Sequence, residues 1–435
     1  MLRTLTDVRF QELILSRRCL IFLDSRVYFL CRSSIWSEDT IYDNFPLENN
    51  SHVGSSQAIP RLLISSSTPY KTYSLMLFRY NSRQLTKDSD ALNAMAGILR
   101  HISIDLNSET LEGLPTRSFD LSLLFWHQPG PVRRRPEFPS WSWVGWAGYT
   151  VAWMPTSEGL EINEWLKMKT YITWYKRESQ AGWTLQPVLE YAESGSSRIP
   201  DFHKFNPDFS HYRPFHGSIP VPDTELLPMR PSPETLSLQV TVNGHSCSYT
   251  LLNFYTYSIS IPLTLASISV SFSNSPYDYA VIISSLTPAP SDCNNTYHKE
   301  TSVGAFYLDD RNCLSSAATA AHRYAVILLA RGEMDKCTAL DELYSLPTLS
   351  ALEEPFKTAG GKRKEKGDEN KDKDEGFWWA MLISWTGYAF TSGRGRREGE
   401  PDKDVAEKKG LGFIRDDFIR GLPPKALVWR EILLA

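Results

Sequence analysis

Apolar positions along this chain fall into several regimes, and each predicts a different kind of element. At the start, Leu13, Ile14 and Leu15 follow Glu12 as a short helix would, and Leu20–Leu23 and Val27–Cys31 form two strand-length runs around Asp24 and Ser25, a hairpin. Residues 32–72 lose any period and are rich in Ser, Asn and Pro, so they read as loop. Tyr73–Tyr80 reads as a strand and Asn81–Asp88 as the turn before the clearest helix of the chain. In that helix Leu92, Met95, Ala96, Leu99 and Ile102 share one face, Asp88 is placed to cap the first turn, and Asp90 lies near its positive end. Ser118–Trp126 reads as a second helix that brings Leu121, Leu124 and Phe125 toward the segment after it.

That segment, RRRPEFPSWSWVGWAG at Arg133–Gly148, carries the densest structural instruction. Pro136 and Pro139 fix φ and push the residues before them into extended conformation, so a strand is expected from Ser140. Trp141 and Trp143 then share one face, Gly145 gives the strand a place to bulge, and Trp146 follows on a re-aimed face. Three indoles, each burying about 150–250 Å² when covered, can anchor a core.

The second half reads as mainly β. Trp165–Tyr175 alternates toward strand, and the Pro-rich sequence of Pro187–Pro233 thins the pattern. Leu236, Leu238, Val240 and Val242 then alternate into Asn243-Gly244, a strong hairpin signal, with Leu251 and Leu252 in the returning arm. Leu263–Phe272 and Tyr324–Ala330 add strands. The apolar run Phe377–Thr391 is shorter than the roughly 20 residues that a bilayer requires, so a buried strand is expected there. Gly360–Gly376 is charged, balanced in sign and without apolar residues, and reads as a disordered insertion.

Composition narrows the function classes. The 435 residues are 42% hydrophobic and 12% aromatic, which is globular, and a formal net charge of -4 gives no general attraction to nucleic acid. Six scattered cysteines with no C-x-x-C pair argue against a zinc ribbon and a disulfide framework, and point to reduced thiols in the cytoplasm. Arg3, Asp7, Arg9 and Glu12 interrupt any apolar leader after Met1. There is no G-x-S-x-G, G-x-G-x-x-G or Walker loop, and His203, His211 and His216 are spaced too widely for a zinc site, so neither a metal nor a cofactor is expected. Arg133–Arg135 read as arginines that stack on indoles or pair with acids at the rim of a core. Lys362–Lys366 alternate with acids that cancel their field.

The tryptophan block FPSWSWVGWAG, preceded by GLPTRSFDLSLLFW at Gly113–Trp126, resembles the region just downstream of the fungal HET (heterokaryon incompatibility) domain. FQELILSRRCLIF at Phe10–Phe22, which contains Gln11, Glu12 and Arg17, resembles the closing motif of that domain, and RQLTKDSDALNAMAGIL resembles a further stretch of the family. The resemblance implies an α+β fold, in which residues 1–46 are the end of a TIR-like HET domain and 47–155 a helical segment with the Trp-rich strand. Residues 156–358 would be a β-rich domain, 359–376 the insertion, and 377–435 the strands that complete the β-rich part, in which Trp378–Trp385 and Val405–Ile414 resemble a hairpin of the family and Leu422–Leu434 its closing strand. It also implies that most of a HET domain, about 100 residues or more on ordinary domain sizes, would precede a start at Met1. Trp126, Pro139, Trp141, Trp143, Gly145 and Trp146 are its motif residues.

TIR-type enzymes cleave the nicotinamide–ribose bond of NAD with a glutamate in the pocket, and by this resemblance Glu12 is the candidate catalytic residue. Its carboxylate could stabilise the charge that develops as nicotinamide leaves. Thr6, Val8 and Arg9 stand where the family usually has Arg, Trp and Thr. The expected function is therefore a non-enzymatic recognition or scaffold protein of fungal vegetative incompatibility and programmed cell death, with protein partners, among them another HET-type or allelic recognition protein. The rival is a divergent NAD-cleaving effector completed by oligomerisation or by a missing N-terminal segment. A third reading is a module whose aromatic face binds a nucleotide or glycan.

Overall fold

The computed structural model describes residues 8–23, 26–31, 35–38, 69–81, 83–127, 132–152, 166, 170, 172–188, 231–233, 236–259, 279–284, 301–309, 323–333, 376–391, 403–422 and 426–435. Its helices are α1 (Val8–Leu15), α2 (Pro69–Asn81), α3 (Ala96–Leu106), α4 (Phe119–Ser122) and α5 (Asp416–Gly421). The first strands are β1 (Arg18–Leu23), β2 (Arg26–Cys31), β3 (Ile35–Ser37), β4 (Thr110–Leu111), β5 (Leu114–Pro115), β6 (Phe125–His127), β7 (Arg133–Arg134), β8 (Trp146–Ala147) and β9 (Thr150–Ala152). Then come β10 (Tyr175–Arg177), β11 (Leu185–Pro187), β12 (Leu236–Val242), β13 (His245–Ser246), β14 (Leu251–Ile259), β15 (Tyr279–Ser284) and β16 (Thr301–Leu308). The last are β17 (Arg323–Glu333), β18 (Gly376–Thr391), β19 (Lys403–Arg415) and β20 (Leu427–Leu434). The class is α+β, with strand predominating.

The N-terminal helix and hairpin form as the sequence predicts, with β1 and β2 antiparallel and Leu23 opposite Arg26. β3 adds a third strand, within the stretch read as loop. Leu20 lies opposite Phe29, which lies opposite Trp36, and Phe22 is two positions from Leu20, so these side chains share one face. Leu20, Phe22 and Trp36 are exposed there.

Tyr73–Tyr80 is not a strand; it lies inside α2. The period is 3.6: Tyr70, Tyr73, Leu77 and Tyr80 are buried on one stripe, and Pro69 opens the helix where its missing N–H leaves nothing unsatisfied. Met95, Leu99 and Ile102 of the next stripe are buried, whereas Ala96 faces outward. Asp88 does not cap that helix. It opens a separate 3₁₀ turn, Asp88–Asp90, and α3 begins only at Ala96. α1 packs on α3 at Gly97, whose N–H donates to Gln11 Oε1 at 3.0 Å.

The helix expected over Ser118–Trp126 shrinks to a 3₁₀ turn, Thr116–Ser118, and the single turn of α4. Ser122 Oγ donates back to the Ser118 carbonyl at 2.9 Å, a bond that competes with helix continuation, and Phe125–His127 pair with β9 instead. Leu121, Leu124 and Phe125 are nonetheless fully buried in the main core.

The large sheet runs β13-β12-β18-β17-β14-β20-β19-β16-β15, with β10 also on β14 and β11 on β10. Because β18 pairs with β19 as well, the strands β18, β17, β14, β20 and β19 close into a ring. Both faces are covered, which explains the unbroken apolar run at Trp378–Trp385. Phe377, Trp379, Met381 and Ile383 face the main core, while Trp378, Ala380 and Leu382 face a second cluster that Ile419 and Leu422, at and just beyond α5, help to form. The main core takes residues from Phe10 through Leu434, so the helical segment and the sheet share one interior.

The Asn243-Gly244 turn is present, with φ of 50° and 78° at its two residues, as a two-residue turn with both φ positive requires. Its returning arm is only His245–Ser246; Leu251 and Leu252 belong to β14, which pairs with β20. Of Trp165–Tyr175, Thr170 bridges Ala330 and Tyr175 opens β10. The strand expected at Leu263–Phe272, the charged run before Gly376 and the three spaced histidines lie outside the described residues. Among the described residues no helix is long and apolar enough to cross a membrane.

Candidate functional site

The tryptophan block is not the strand its prolines predict. Trp141 and Ser142 lie in a turn, Trp143–Gly145 form a 3₁₀ turn, and only Trp146–Ala147 are extended, as β8 against β7. Serine chemistry decides this locally, because Ser142 Oγ accepts from Val144 N at 3.2 Å and donates to the Glu112 carbonyl at 2.6 Å, bonds a ladder would not allow. The loop then folds back on itself: Arg135 N donates to Gly145 O at 2.7 Å. A Cβ on Gly145 would lie 2.2 Å from the Pro139 carbonyl oxygen, so only glycine fits that crossing.

All three indoles are buried, at 0% exposure for Trp141 and Trp143 and 2% for Trp146. Trp143 Nε1 donates to Gly113 O at 3.1 Å, and its ring meets Tyr80 edge-on at 5.7 Å. Trp146 Nε1 donates to Ser140 O at 2.8 Å. Trp141 begins a run of ring contacts through Phe119 (6.0 Å) and Trp174 (5.5 Å) to Phe254 of β14 (4.4 Å). Trp126, from β6, stacks on Tyr307 of β16 at 5.7 Å. Pro139 is buried among them.

The three arginines close the rim. Arg133 grips Asp88 with both terminal nitrogens, and these hydrogen bonds hold that carboxyl below its ordinary range against the effect of burial. Arg134 lies over the Trp146 ring at 5.5 Å and reaches Glu407 at 3.4 Å. Arg135, 2% exposed, donates to the carbonyls of Val144 and Trp146 and sits 3.4 Å from Asp88. Glu407 also accepts from Asn243 (2.8 Å), Lys409 (3.0 Å) and Thr386 (3.3 Å). Burial opposes its charge, but Lys409, Arg134 and Asn243 outweigh burial and keep the carboxyl below its usual range.

Behind the block lies a buried polar cluster. Lys408 Nζ is 2.9 Å from Asp309 Oδ2 and 3.2 Å from Oδ1; it also donates to Phe125 O at 3.3 Å and stands 3.7 Å from the centre of the Phe125 ring. His127 Nε2 is 3.4 Å from Asp309 Oδ1, and its Nδ1 is 3.2 Å from Thr150 Oγ1. Burial, followed by Lys408 and Arg135, pushes His127 well below its ordinary pKa. Burial lowers Lys408 and raises Asp309, in each case more than the partner's opposite charge can reverse, so both groups are driven toward their neutral forms. Ser140 ties the cluster to the block: its hydroxyl accepts from Lys408 N at 2.8 Å and donates to Ala435 O.

His127, Ser140, Asp309 and Lys408 are the residues that sequence reasoning missed. A signal existed for one of them. Lys408 is two positions from Ala406 and so shares its inward face on β19, although Glu407 and Lys409 on either side of it carry charge as well.

The other candidates sit elsewhere. Gln11 faces α3 and accepts the Gly97 N–H, while Glu12 and Arg17 are exposed on and just after α1. The structure therefore joins Trp126, Pro139, Trp141, Trp143, Gly145 and Trp146 in one buried assembly and leaves Glu12 on the surface. Among the described residues no group of three or more His, Cys, Asp or Glu side chains is placed to hold a metal ion. Compared with known protein families, curated proteins and solved structures, the chain matches none.

Proposed function

We propose that this chain is a recognition or scaffold protein of the fungal heterokaryon-incompatibility type, which acts through protein partners and performs no turnover of its own. The observation that supports this reading is the internal use of the tryptophan block. Two of its indole N–H groups and the Arg135 guanidinium donate to backbone carbonyls within the same assembly, and its rings are covered. Such a block holds a fold together and presents no aromatic face to a nucleotide or glycan. Glu12, exposed on a two-turn helix, lacks the enclosed, water-poor setting in which a carboxylate stabilises a developing cation. Leu20, Phe22 and Trp36 expose apolar area on one sheet face, which fits a protein that binds proteins.

Purified chain incubated with NAD tests the reading. No nicotinamide release above the buffer control is expected; turnover that disappears in Glu12→Ala would replace it with an NAD-cleaving effector assembled from more than one chain. In the source fungus, deleting the gene should remove a growth barrier between incompatible strains, and an unchanged barrier would count against a recognition role.

A further inference from the structure

We infer that Lys408 and Asp309 condense into an intramolecular amide, Lys408 Nζ to Asp309 Cγ, a covalent staple between β19 and the residue that follows β16. Three observations carry this. The first is proximity: with Nζ at 2.9 and 3.2 Å from the two carboxyl oxygens, its distance to Cγ is held to about 3.5 Å or less, the range of a near-attack arrangement. Rotation of the carboxyl about Cβ–Cγ presents its face to the amine. The backbones are already clamped, since Asp309 N donates to Lys409 O at 2.9 Å and Leu308 lies opposite Gly410.

The second is the medium. The two side chains are 0% and 1% exposed, and the Phe125 ring, the Phe125 carbonyl and Trp146 beyond His127 wall the site. In such a medium a neutral amine is a nucleophile and a neutral carboxylic acid an electrophile, and both groups are pushed toward those forms. Condensation also replaces two buried ionisable groups, costly to charge there, by an uncharged amide. Burial of both side chains bars exchange with bulk solvent once the released water has left, which disfavours hydrolysis back to the acid.

The third is a proton carrier. The nitrogen lone pair attacks Cγ and the C–N bond forms; the C–OH bond then breaks, with the hydroxyl leaving as water. The proton lost by the amine must reach that oxygen, and His127 Nε2, 3.4 Å from Asp309 Oδ1 and held neutral by burial, is placed to pass it. Thr150 Oγ1 at 3.2 Å from Nδ1 orients the ring. No oxidant, metal or co-substrate enters the balance.

The test is a tryptic digest of the full, cooperatively folded chain read by mass spectrometry. Expected is a joined species of Glu300–Arg311 and Asp404–Lys409, uncleaved after Lys408 and lighter than the two peptides by one water. Asp309→Asn should give the same joined species with loss of ammonia from the variant, and Asp309→Ala should give separate peptides. His127→Gln should slow the appearance of the joined species after synthesis several-fold. Separate, full-mass peptides with cleavage after Lys408, from folded wild-type chain kept for days, would overturn the inference. Unchanged kinetics in His127→Gln would remove His127 from it.

Discussion

Trp143 and Gly113 fix each other: the indole Nε1 donates to the glycine carbonyl at 3.1 Å while the six-membered ring lies against the glycine Cα, where a Cβ would come within 2.7 Å of Cζ2. The same carbonyl accepts from Tyr73 Oη at 3.1 Å, so α2, the β4–β5 turn and the tryptophan block meet at one oxygen. Gly113 has φ of 81°, which an L side chain rarely adopts.

Gly113→Ala therefore combines left-handed strain with overpacking against a ring that cannot move. The expected loss is about 2–5 kcal/mol, read as a lower urea midpoint at unchanged slope.

Trp143→Ala should cost about 3–5 kcal/mol, as for a large ring removed from a core; an unchanged midpoint would mean that the ring does not pack as described. Phenylalanine substitutions sort the three indoles further. Trp141 Nε1 is buried with no hydrogen-bond partner among the described residues, whereas Trp146 Nε1 has Ser140 O. Trp141→Phe should thus be milder than Trp146→Phe by about 1 kcal/mol.

Ser140→Ala strands the buried Lys408 N–H and loosens the Ala435 carbonyl. About 1–3 kcal/mol of stability should be lost, with faster amide exchange at the Lys408 end of β19 as the local signature.

Acid should weaken the fold through His127. Burial depresses its pKa below 6.5, so the unfolded chain takes up a proton near pH 6.5 while the folded chain does not. The unfolded state then binds more protons, and stability falls as pH drops below about 6.5, by at most about 1.4 kcal/mol per pH unit. Asp309, raised by burial, acts in the opposite sense wherever its carboxyl is not joined to Lys408, so the reading is the difference between wild type and His127→Gln. Midpoints measured from pH 7.5 to 5 should fall more steeply in wild type; parallel curves would contradict the buried neutral imidazole.

Much of the fold was legible where one physical signal acted alone. The Asn243-Gly244 turn follows from alternation and turn chemistry and the first hairpin from two apolar runs, whereas the pairing of β18 with β19 and the closing strand were expected from the family resemblance. Errors arose where two signals overlapped. Tyr73–Tyr80 carries β-prone aromatic residues at helical spacing, and the spacing prevailed because α2 has a core stripe to bury. At Ser140–Gly145 the serine hydroxyls and a glycine pressed on Pro139 O overrode the extended bias of the prolines. The buried cluster was illegible for a different reason: His127, Asp309 and Lys408 are far apart in sequence, and a single charged residue in a strand does not name its partners.

The position of β20 bears on how the molecule is made. It follows every other described strand along the chain, yet it lies in the middle of the sheet between β14 and β19. While the ribosome is still translating, β14 and β19 flank an open seam of unpaired backbone groups, and the ring can shut only once Leu427–Leu434 has emerged. The nascent chain thus has a late, aggregation-exposed interval during which chaperone binding would be most useful, and closure has to await the last of the described strands.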